Sequence, residues 1–170
     1  MSLVYPTEQQ FLQVKSWFSN HHQAYTWGGP NMTYPMSDTN FLKLLTAFHF
    51  KSFCLLNDEQ QVVAFGQYYR RLEHHHLGRL AVNPKHRGQG FSKVLITKIL
   101  EQAFLQQSAK GASLFVFRDN IVAYKCYQSL GFIETDYPAD PFPGNMQNCA
   151  YMVLSAAEAK IQFKIINLAS

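Results

Sequence analysis

Residues 80–92 read LAVNPKHRGQGFS and are the most informative stretch of the chain. An apolar strand end is followed by Asn83-Pro84, which breaks the strand, and then by a glycine-rich turn that opens a helix. Such a turn exposes backbone N–H groups at the positive end of the helix dipole, where a pyrophosphate binds well. Gly88 and Gly90 allow the backbone to approach an anion closely, and Ser92 can add a hydroxyl donor.

Two common nucleotide-binding motifs do not fit this turn. The P-loop requires a Gly-Lys pair before Ser or Thr, and no Gly-Lys pair occurs in the chain. The dinucleotide motif Gly-x-Gly-x-x-Gly requires a third glycine where this chain has Lys93, which is too bulky for close packing of helix and strand. A glycine pair that only turns the chain remains the alternative interpretation.

The residues around the turn predict a mixed α/β (α+β) domain with one central sheet. Thr7 and Gln10 form a capping box for a first helix that ends near Ser19, and Ser37 caps a second one. We expect a turn-rich segment between them, at residues 21–35. Strands are expected at residues 50–56, 61–72, 75–82, 112–117, 132–135 and 148–154, with a long helix from residue 88 onward and a short one at 121–130 that Gly131 ends.

Length and composition are typical of a single globular domain, residues 1–170. Apolar residues make up 47% of the chain, and no apolar run approaches the roughly 20 residues of a membrane span. The three cysteines do not suggest a disulfide framework, and the N-terminus has no apolar signal segment, so we expect a cytoplasmic protein. The net charge of +4 is modest and indicates neither nucleic acid nor membrane as a partner. Positive residues crowd between Arg79 and Arg87, which favours an anionic cofactor.

Residues 80–92 resemble the acetyl-CoA motif of the GNAT superfamily of N-acetyltransferases, Arg/Gln-x-x-Gly-x-Gly/Ala after a strand that ends in Val and x-Pro. The chain departs from that motif at Ser92, which replaces Gly or Ala. Downstream, Asn120-x-x-Ala123-x-x-x-Tyr127-x-x-x-Gly131-Phe132 resembles the second motif of the family. The resemblance implies the GNAT fold: a central, mixed, mostly antiparallel sheet with helices on both faces and a splay between the fourth and fifth strands.

The resemblance also implies a site for acetyl-CoA as co-substrate, without a metal. In the family, the backbone at the end of the fourth strand pairs with the pantetheine arm, which here implies Leu80, Ala81 and Val82. Asn120 would cap the helix that follows the fifth strand and hold the pantetheine side, although a plain helix cap is the simpler role. The turn residues implied for the pyrophosphate are Arg87, Gly88, Gln89, Gly90, Phe91 and Ser92.

Tyr127 resembles the general acid of the family. When an amine attacks the thioester, the departing thiolate needs a proton or a hydrogen bond, and a phenol near the sulfur can supply either. The alternative is a core tyrosine on an amphipathic helix. Tyr124 lies nearby, but the spacing to Gly131-Phe132 favours Tyr127.

The general base is less defined by the sequence. Many relatives use a glutamate or histidine on the fourth strand, sometimes through water, and register favours His76 here. Glu73, His74 and His75 are the alternatives, and a solvated strand end is equally compatible with these residues. Because neighbouring strand residues point to opposite faces, the three adjacent histidines do not predict a metal site.

The acceptor site is expected where the first two helices and the loop between the last two strands meet. Trp27 and Tyr34 would provide an aromatic wall with Tyr25, Asn31 and Met32, because aromatic faces attract cations. Asp136, Asp140 and Asn145 offer acceptors for an ammonium group. A packed surface loop is the structural alternative for each of these residues.

The resemblance implies an N-acetyltransferase that moves the acetyl group of acetyl-CoA to a primary amine of a small molecule or a peptide N-terminus, by direct attack in a ternary complex. A non-catalytic acetyl-CoA sensor or structural subunit, and a transferase of longer acyl groups, are the alternatives. The apolar tail needs cover, and a homodimer is one source of it. The tail residues concerned are Ile161, Phe163, Ile165 and Ile166.

Overall fold

The structure is a computed structural model that describes residues 1–139 and 148–163. Its strands are β1 (Ser2–Val4), β2 (Lys51–Leu56), β3 (Val62–Arg71), β4 (His74–Val82), β5 (Gly111–Phe117), β6 (Ile133–Thr135) and β7 (Cys149–Ser155). Its α-helices are α1 (Glu8–Lys15), α2 (His21–Gly28), α3 (Asp38–Leu45), α4 (Phe91–Gln106), α5 (Ile121–Ser129) and α6 (Ala156–Phe163). The predicted fold class, a mixed α/β domain built on one sheet, is confirmed.

The seven strands form one mixed sheet in the order β1-β2-β3-β4-β5-β7-β6. β4 and β5 pair in parallel, whereas β1 with β2, β2 with β3, β5 with β7 and β6 with β7 pair antiparallel. The parallel ladder matches His74–Leu77 with Gly111–Leu114, and β4 then continues to Val82 and β5 to Phe117. A ladder that ends before its strands do is the pattern expected for the predicted splay.

The described chain divides into two compact units. The first unit contains Met1–Tyr69 with Gly78–Ile99, and the second contains Arg70–Leu77 with the described residues after Ile99. β3, β4 and α4 therefore each contribute residues to both units. The expectation of a single domain over residues 1–170 stays a prediction.

The first unit packs α1, α2 and α3 against β2 and β3. Each helix begins at a polar residue whose side chain accepts a backbone N–H, and the capping box of Thr7 and Gln10 is present as predicted. The apolar faces of these helices pack around Phe65 of β3, whose ring lies 5.8 Å from that of Phe11. Fully burying a side chain of this size contributes about 2 kcal/mol. The buried cluster includes Phe11, Val14, Trp17, Ala24, Met32, Phe41, Leu45, Cys54, Leu56, Val62 and Phe65.

Helix α2 corrects the expectation of a turn-rich segment at residues 21–35. The Asn20 side chain accepts the Gln23 N–H at 3.0 Å and begins the helix, and Gly29, at φ 79°, ends it. The paired glycines were interpreted as a loop, although glycine just after a helix is a common stop signal. Trp27 then packs inside the unit, with its ring 4.3 Å from Phe18.

Two further elements were not predicted. β1 pairs with β2 from Ser2–Leu56 to Val4–Cys54, which three residues are too few to indicate by alternation. α6 begins with a second capping box, because Glu158 N–H donates to Ser155 Oγ at 3.2 Å while the Glu158 carboxylate accepts from Ser155 N–H at 3.2 Å. The Ser-x-x-Glu spacing was therefore visible in the sequence. Ile165 and Ile166 lie outside the described residues.

The second unit is built around β5, which is buried between β4 and β7. Its core contains Leu114, Met152 and Phe132. Gly111 lies so close to β7 that an added Cβ would stand 2.2 Å from the Leu154 carbonyl oxygen. Gly131 ends α5 as predicted, with φ 84°, so Phe132 turns back and its N–H donates to the Tyr127 carbonyl at 3.1 Å.

Candidate active site

The end of β4 carries a bulge-like distortion at Arg79. Its φ is 50°, a left-handed conformation that non-glycine residues rarely adopt. Beyond it, Leu80 lies on the α4 side of the sheet, because a Cβ added at Gly66 would stand 2.7 Å from Leu80 Cδ2 and 2.8 Å from Ile99 Cδ1. Ala81 packs on the other side, against the cluster that contains the α1 and α3 core residues.

Asn83 fixes the passage from β4 into the glycine turn. Its N–H donates to the Val63 carbonyl at 2.9 Å and its Nδ2 to the Val62 carbonyl at 3.2 Å. Its Oδ1 accepts the Lys85 N–H at 3.1 Å and caps the 3₁₀ turn Pro84–His86. The Asn83 side chain therefore anchors the turn to β3, in addition to ending the strand as predicted.

Gly88 and Gly90 form the open part of the turn. Their φ values are 78° and 81°, and a Cβ added at either would have no heavy atom within 4 Å. The first helical bonds of α4 run from Lys93 and Val94 N–H to the Gly90 carbonyl, so the preceding amides lie at the positive end of the helix. An anionic group such as a pyrophosphate can bind here, because it needs open space in front of the backbone amides that begin a helix.

Asn120 begins α5 in the second unit. Its Oδ1 accepts the Ala123 N–H at 3.3 Å, so the helix-cap role is present. Seven residues later, Tyr127 is 8% exposed and its ring lies 6.2 Å from that of Phe132. Burial raises the pKa of the Tyr127 hydroxyl above its usual range, so the phenol stays protonated across the physiological range.

Tyr124 lies one turn earlier on α5 in a different environment. Its hydroxyl donates to Glu134 Oε2 at 2.8 Å, and Glu134 Oε1 also binds Arg118 Nη2 at 2.6 Å. The hydrogen bond to Glu134 raises the pKa of Tyr124. Tyr124 therefore belongs to a surface polar network with Glu134 and Arg118.

His76 is a buried side chain of β4. Its Nδ1 lies 2.9 Å from Ser113 Oγ on β5, and its ring is 5.0 Å from that of Phe115. Burial first, and then the charges of Arg71 and His74, lower the pKa of His76 to about 3. At pH 7 the imidazole is therefore neutral, and as a base it is weak.

The other three candidate bases lie at the beginning of β4 or in the turn before it. Glu73 is exposed and binds Lys110 Nζ at 2.6 Å, and the hydrogen bond from Lys110 lowers its pKa. His74 Nδ1 lies 2.8 Å from the Leu72 carbonyl oxygen. His75 Nε2 lies 2.8 Å from the Gln107 carbonyl oxygen, and burial lowers its pKa.

Within residues 1–139 and 148–163, no group of three or more His, Cys, Asp or Glu side chains could hold a metal ion. None of the helices in the described chain is long and apolar enough to cross a membrane.

The two predicted acceptor-site residues are placed differently. Trp27 packs among Phe18, Phe41 and Phe65, and its Nε1 is buried without a hydrogen-bond partner in the described chain. Tyr34 is 43% exposed and lines a cavity of about 450 Å³. Met32, Thr33, Pro35 and Met36 line the same cavity together with residues of α1, α2 and α3.

Of the three polar residues expected to receive an ammonium group, Asp136 is exposed. Asp140 and Asn145 lie outside the described residues.

Ser113, the partner of His76, was not singled out from the sequence. The two residues are 37 positions apart, and only the parallel register of β4 with β5 places them side by side. Arg71 was missed for the same reason, although its guanidinium lies 5.3 Å above the Phe115 ring and its Nη1 donates to Tyr137 Oη at 3.1 Å. Contacts of this kind have no signal in local sequence.

A family model described as the acetyltransferase (GNAT) family matches residues 13–132. The match covers both motifs and most of the described elements. The chain belongs to the GNAT acetyltransferase family. It is therefore an N-acetyltransferase, as the two motifs predicted.

Individual relatives agree with this assignment. The acetyltransferase is 30% identical over 103 residues to the ribosomal protein bS18-alanine N-acetyltransferase of Haemophilus ducreyi. The aligned residues cover 57% of this chain and 68% of that protein. Its fold is similar to that of the spermidine N-acetyltransferase from Vibrio cholerae in complex with CoA and spermine, with a TM-score of 0.75, 16% identity, and coverage of 93% and 96% of the two chains. A spermidine/spermine N-acetyltransferase from the same organism, solved with manganese ions, has a TM-score of 0.69 at 16% identity and covers 96% and 95%.

Proposed function

We propose that this acetyltransferase transfers the acetyl group of acetyl-CoA to a primary amine of a small molecule or a peptide, by direct attack in a ternary complex. The observation that carries the proposal is the open turn with left-handed Gly88 and Gly90 at the start of α4. A solved GNAT relative of the same fold holds CoA, and another relative acts on a ribosomal-protein alanine, so an amine acceptor agrees with both.

In this proposal the first unit supplies the pyrophosphate site. The amides from Arg87 to Ser92 would bind its oxygens, with Gly88 and Gly90 giving room and Phe91 beginning the helix. The backbone of Leu80, Ala81 and Val82 would pair with the pantetheine arm as an added strand. Asn120 and Tyr127 are the other residues proposed to bind the cofactor.

Tyr127 is the proposed general acid. The amine nitrogen attacks the thioester carbonyl carbon, the C–S bond then breaks, and the thiolate sulfur takes a proton from the phenol. The phenol keeps its proton at neutral pH, as an ordinary tyrosine does and more firmly because burial raises its pKa, so a proton is available for the departing thiolate. The phenolate is reprotonated from solvent after product release.

The proton of the amine must leave by another route. His76 can accept it only poorly, because its pKa is about 3, and Glu73 lies in the turn at the opposite end of β4 from Leu80. We therefore propose water as the proton acceptor, with His76 and Ser113 as residues that position the strand. His76→Gln should then reduce kcat by less than about tenfold, below the usual loss of a general base.

The proposal is tested by ligand binding and thiol release together. Acetyl-CoA at about one hundred times its Kd should stabilise the fold by about 2.7 kcal/mol, which raises Tm by several degrees. Gly88→Trp should remove this shift, because the side chain fills the open space before α4. Gly29→Trp is the matched control: Gly29 has φ 79° and equally open surroundings, but it ends α2 rather than beginning α4.

A panel of primary amines and peptides should then produce free CoA thiol with at least one acceptor. Absence of any Tm shift at millimolar acetyl-CoA would contradict the proposal, and so would equal loss of the shift in both tryptophan variants.

A further inference from the structure

Arg79 is a half-buried cation of the first unit, and it has no acidic partner in the described part of the chain. Its Nη1 donates to Gln67 Oε1 at 2.8 Å, and its guanidinium lies 4.6 Å above the Phe50 ring. Its Nε is buried and has no hydrogen-bond partner there. A guanidinium N–H that is buried without a hydrogen-bond acceptor is unfavourable, and an anionic ligand would supply both the acceptor and a counter-charge.

The guanidinium is held in a defined orientation by Gln67. That amide is 1% exposed, and its Nε2 donates to the Leu45 carbonyl at 2.8 Å and to Ser52 Oγ at 2.7 Å. Its Oε1 is therefore committed to Arg79 Nη1. The edge of the guanidinium formed by Nε and Nη2 has no hydrogen-bond acceptor among the described residues. The two N–H groups on this edge are spaced like the two oxygens of a carboxylate, which can accept two parallel hydrogen bonds from them.

The backbone also contributes to this orientation. Arg79 has φ 50°, in the left-handed region that a non-glycine residue adopts only when its surroundings enforce it. The distortion interrupts the alternation of β4, and the side chain points toward Gln67 of β3 and Phe50 before β2. Backbone strain of this kind is concentrated at binding and catalytic sites, which supports a binding role for Arg79.

The chain is open beside Arg79 at the preceding residue, Gly78. A Cβ added at the preceding Gly78 would meet only Tyr69, with Cε1 at 4.0 Å. The Tyr69 ring lies 5.3 Å from Phe50, which in turn lies 3.9 Å from His49. Aromatic rings therefore form one wall of this space, and the guanidinium lies against the same wall.

The acidic residues of the first unit are placed elsewhere. Asp38 binds Lys15, Asp58 binds the N-terminal ammonium group, and Glu8 and Glu59 are exposed. A neutral or cationic ligand would leave Arg79 without a counter-charge, and a polyamine would add repulsion to it.

We propose that Arg79 binds the carboxylate of the acceptor, so that the acceptor is an amine that also carries a carboxylate, such as a free amino acid, rather than a polyamine. The inference rests on the proposed function, because it names the acceptor class of the same acetyl transfer. The aromatic wall of Phe50 and Tyr69 favours an acceptor with an apolar or aromatic side chain.

The first test uses pairs of amines that differ only in the carboxylate: phenylalanine with phenethylamine, tyrosine with tyramine, and lysine with cadaverine. The wild type should favour the carboxylated member of at least one pair by tenfold or more in kcat/KM, the scale of a bidentate charged contact. Arg79→Met should bring that ratio close to one. Arg79→Lys should restore it only in part, because an ammonium group lacks the fork.

Arg70→Met is the matched control. Arg70 also makes one hydrogen bond, from Nη1 to the Ser108 carbonyl at 2.9 Å, but it is exposed. Its substitution should leave the ratio as in the wild type. Equal rates for both members of every active pair in the wild type, or an unchanged ratio in Arg79→Met, would overturn the inference.

A second test requires no acetylation. Calorimetric titration with 3-phenylpropionate, which has the carboxylate but no amine, should detect binding to the wild type and at least tenfold weaker binding to Arg79→Met. Binding of equal strength, or none to the wild type, would contradict the carboxylate site. Binding without acetylation of any amine would instead reject the proposed function and retain the anion site.

The fold of the variant is checked by its Tm. Arg79→Met replaces a half-buried charge that has no acidic partner among the described residues with an apolar chain of similar length, so Tm should stay within a few degrees of the wild type or rise. A marked fall in Tm would mean that Arg79 is needed mainly for packing, and the inference would then be wrong.

Discussion

Two tyrosines on one helix illustrate how environment separates residues that local sequence leaves similar. Tyr124 and Tyr127 are three positions apart on α5. Tyr124 donates to Glu134 on the surface, whereas Tyr127 is buried and its pKa is raised by that burial. A phenol that is buried and protonated can give its proton to a thiolate, and one that is already engaged by a carboxylate cannot do so without breaking that bond.

Tyr127→Phe should therefore lower kcat by ~10²-fold or more, the scale of a lost general acid, with little change in the Kd for acetyl-CoA because the ring and its packing remain. Tyr124→Phe is the control and should change kcat by less than about threefold. Both are measured by steady-state thiol release with an acceptor from the amine panel. Unimpaired turnover in Tyr127→Phe, where chemistry limits the rate, would remove this residue from the mechanism.

His76 makes stability depend on pH. Its pKa is about 3 in the folded protein and about 6.5 in the unfolded chain, so between these values the unfolded state binds a proton that the folded state excludes. The free energy of unfolding is therefore highest above pH 6.5 and decreases as the pH falls from there toward 3. From pH 7.5 to pH 5 this group alone should remove about 2 kcal/mol from the free energy of unfolding. Burial lowers the pKa of His75 as well, so His75 adds to the loss.

Urea unfolding at pH 7.5 and pH 5 tests this expectation. In His76→Gln the difference between the two free energies should shrink by about 2 kcal/mol, because the variant has no group to protonate there. His22→Gln, at an exposed position of α2, should retain the wild-type difference. An unchanged difference in His76→Gln would mean that the buried imidazole takes up its proton without unfolding.

Among the helices and strands, the sequence predicted the features that depend on residues close together in the chain. The capping box of Thr7, the cap at Ser37 and the stop at Gly131 each depend on residues a few positions apart, and all three occur as expected. α2 was not predicted because the glycine pair Gly28-Gly29 is compatible both with a loop and with the end of a helix. α6 was not predicted although Ser155 and Glu158 have capping-box spacing, because the eight residues that follow Ser155 show no strong apolar face.

The Ser155 cap gives a prediction for α6. Ser155→Ala removes the hydroxyl that accepts the Glu158 N–H and donates to its carboxylate at 2.6 Å. The free energy of unfolding should fall by about 1 kcal/mol, the usual effect of losing such a cap, and amides of α6 should exchange faster.

Ser129→Ala is the control for that variant. The Ser129 hydroxyl donates to the Cys126 carbonyl at the end of α5, a bond that contributes little to helix stability. Its effect should stay below about 0.5 kcal/mol. Faster exchange throughout the chain in Ser155→Ala, instead of exchange centred on α6, would contradict a local capping role.

At the scale of the whole molecule, the order of elements and the two motifs were sufficient to predict the GNAT fold, because the strand–turn–helix at residues 80–92 and the helix with Tyr127 are continuous segments. The partners of the site residues were not predictable. His76 meets Ser113 through a parallel register, and Arg79 meets Gln67 across two strands. Such contacts depend on which strands are neighbours and on a backbone distortion at one residue, and neither has a pattern in sequence.

The exposed side of α6 bears on assembly. Ile161 is 81% exposed, whereas Phe163, two positions later, is buried within the second unit. Ile165 and Ile166 follow in the sequence and extend the apolar character of this segment. A stable dimer buries about 800 Å² on each partner, with an apolar centre, and Ile161 is a candidate for that centre.

We therefore expect a homodimer in which Ile161 is covered by the second copy. Light scattering at micromolar concentration should give twice the chain mass for the wild type, and Ile161→Asp should shift the equilibrium to monomer, because a buried carboxylate without a partner destabilises the interface. Leu105→Asp is the control, since Leu105 is also apolar and 58% exposed but lies on α4. A wild type that is monomeric across the micromolar range would refute the dimer, and a dimer that both variants leave intact would show that its interface lies away from Ile161.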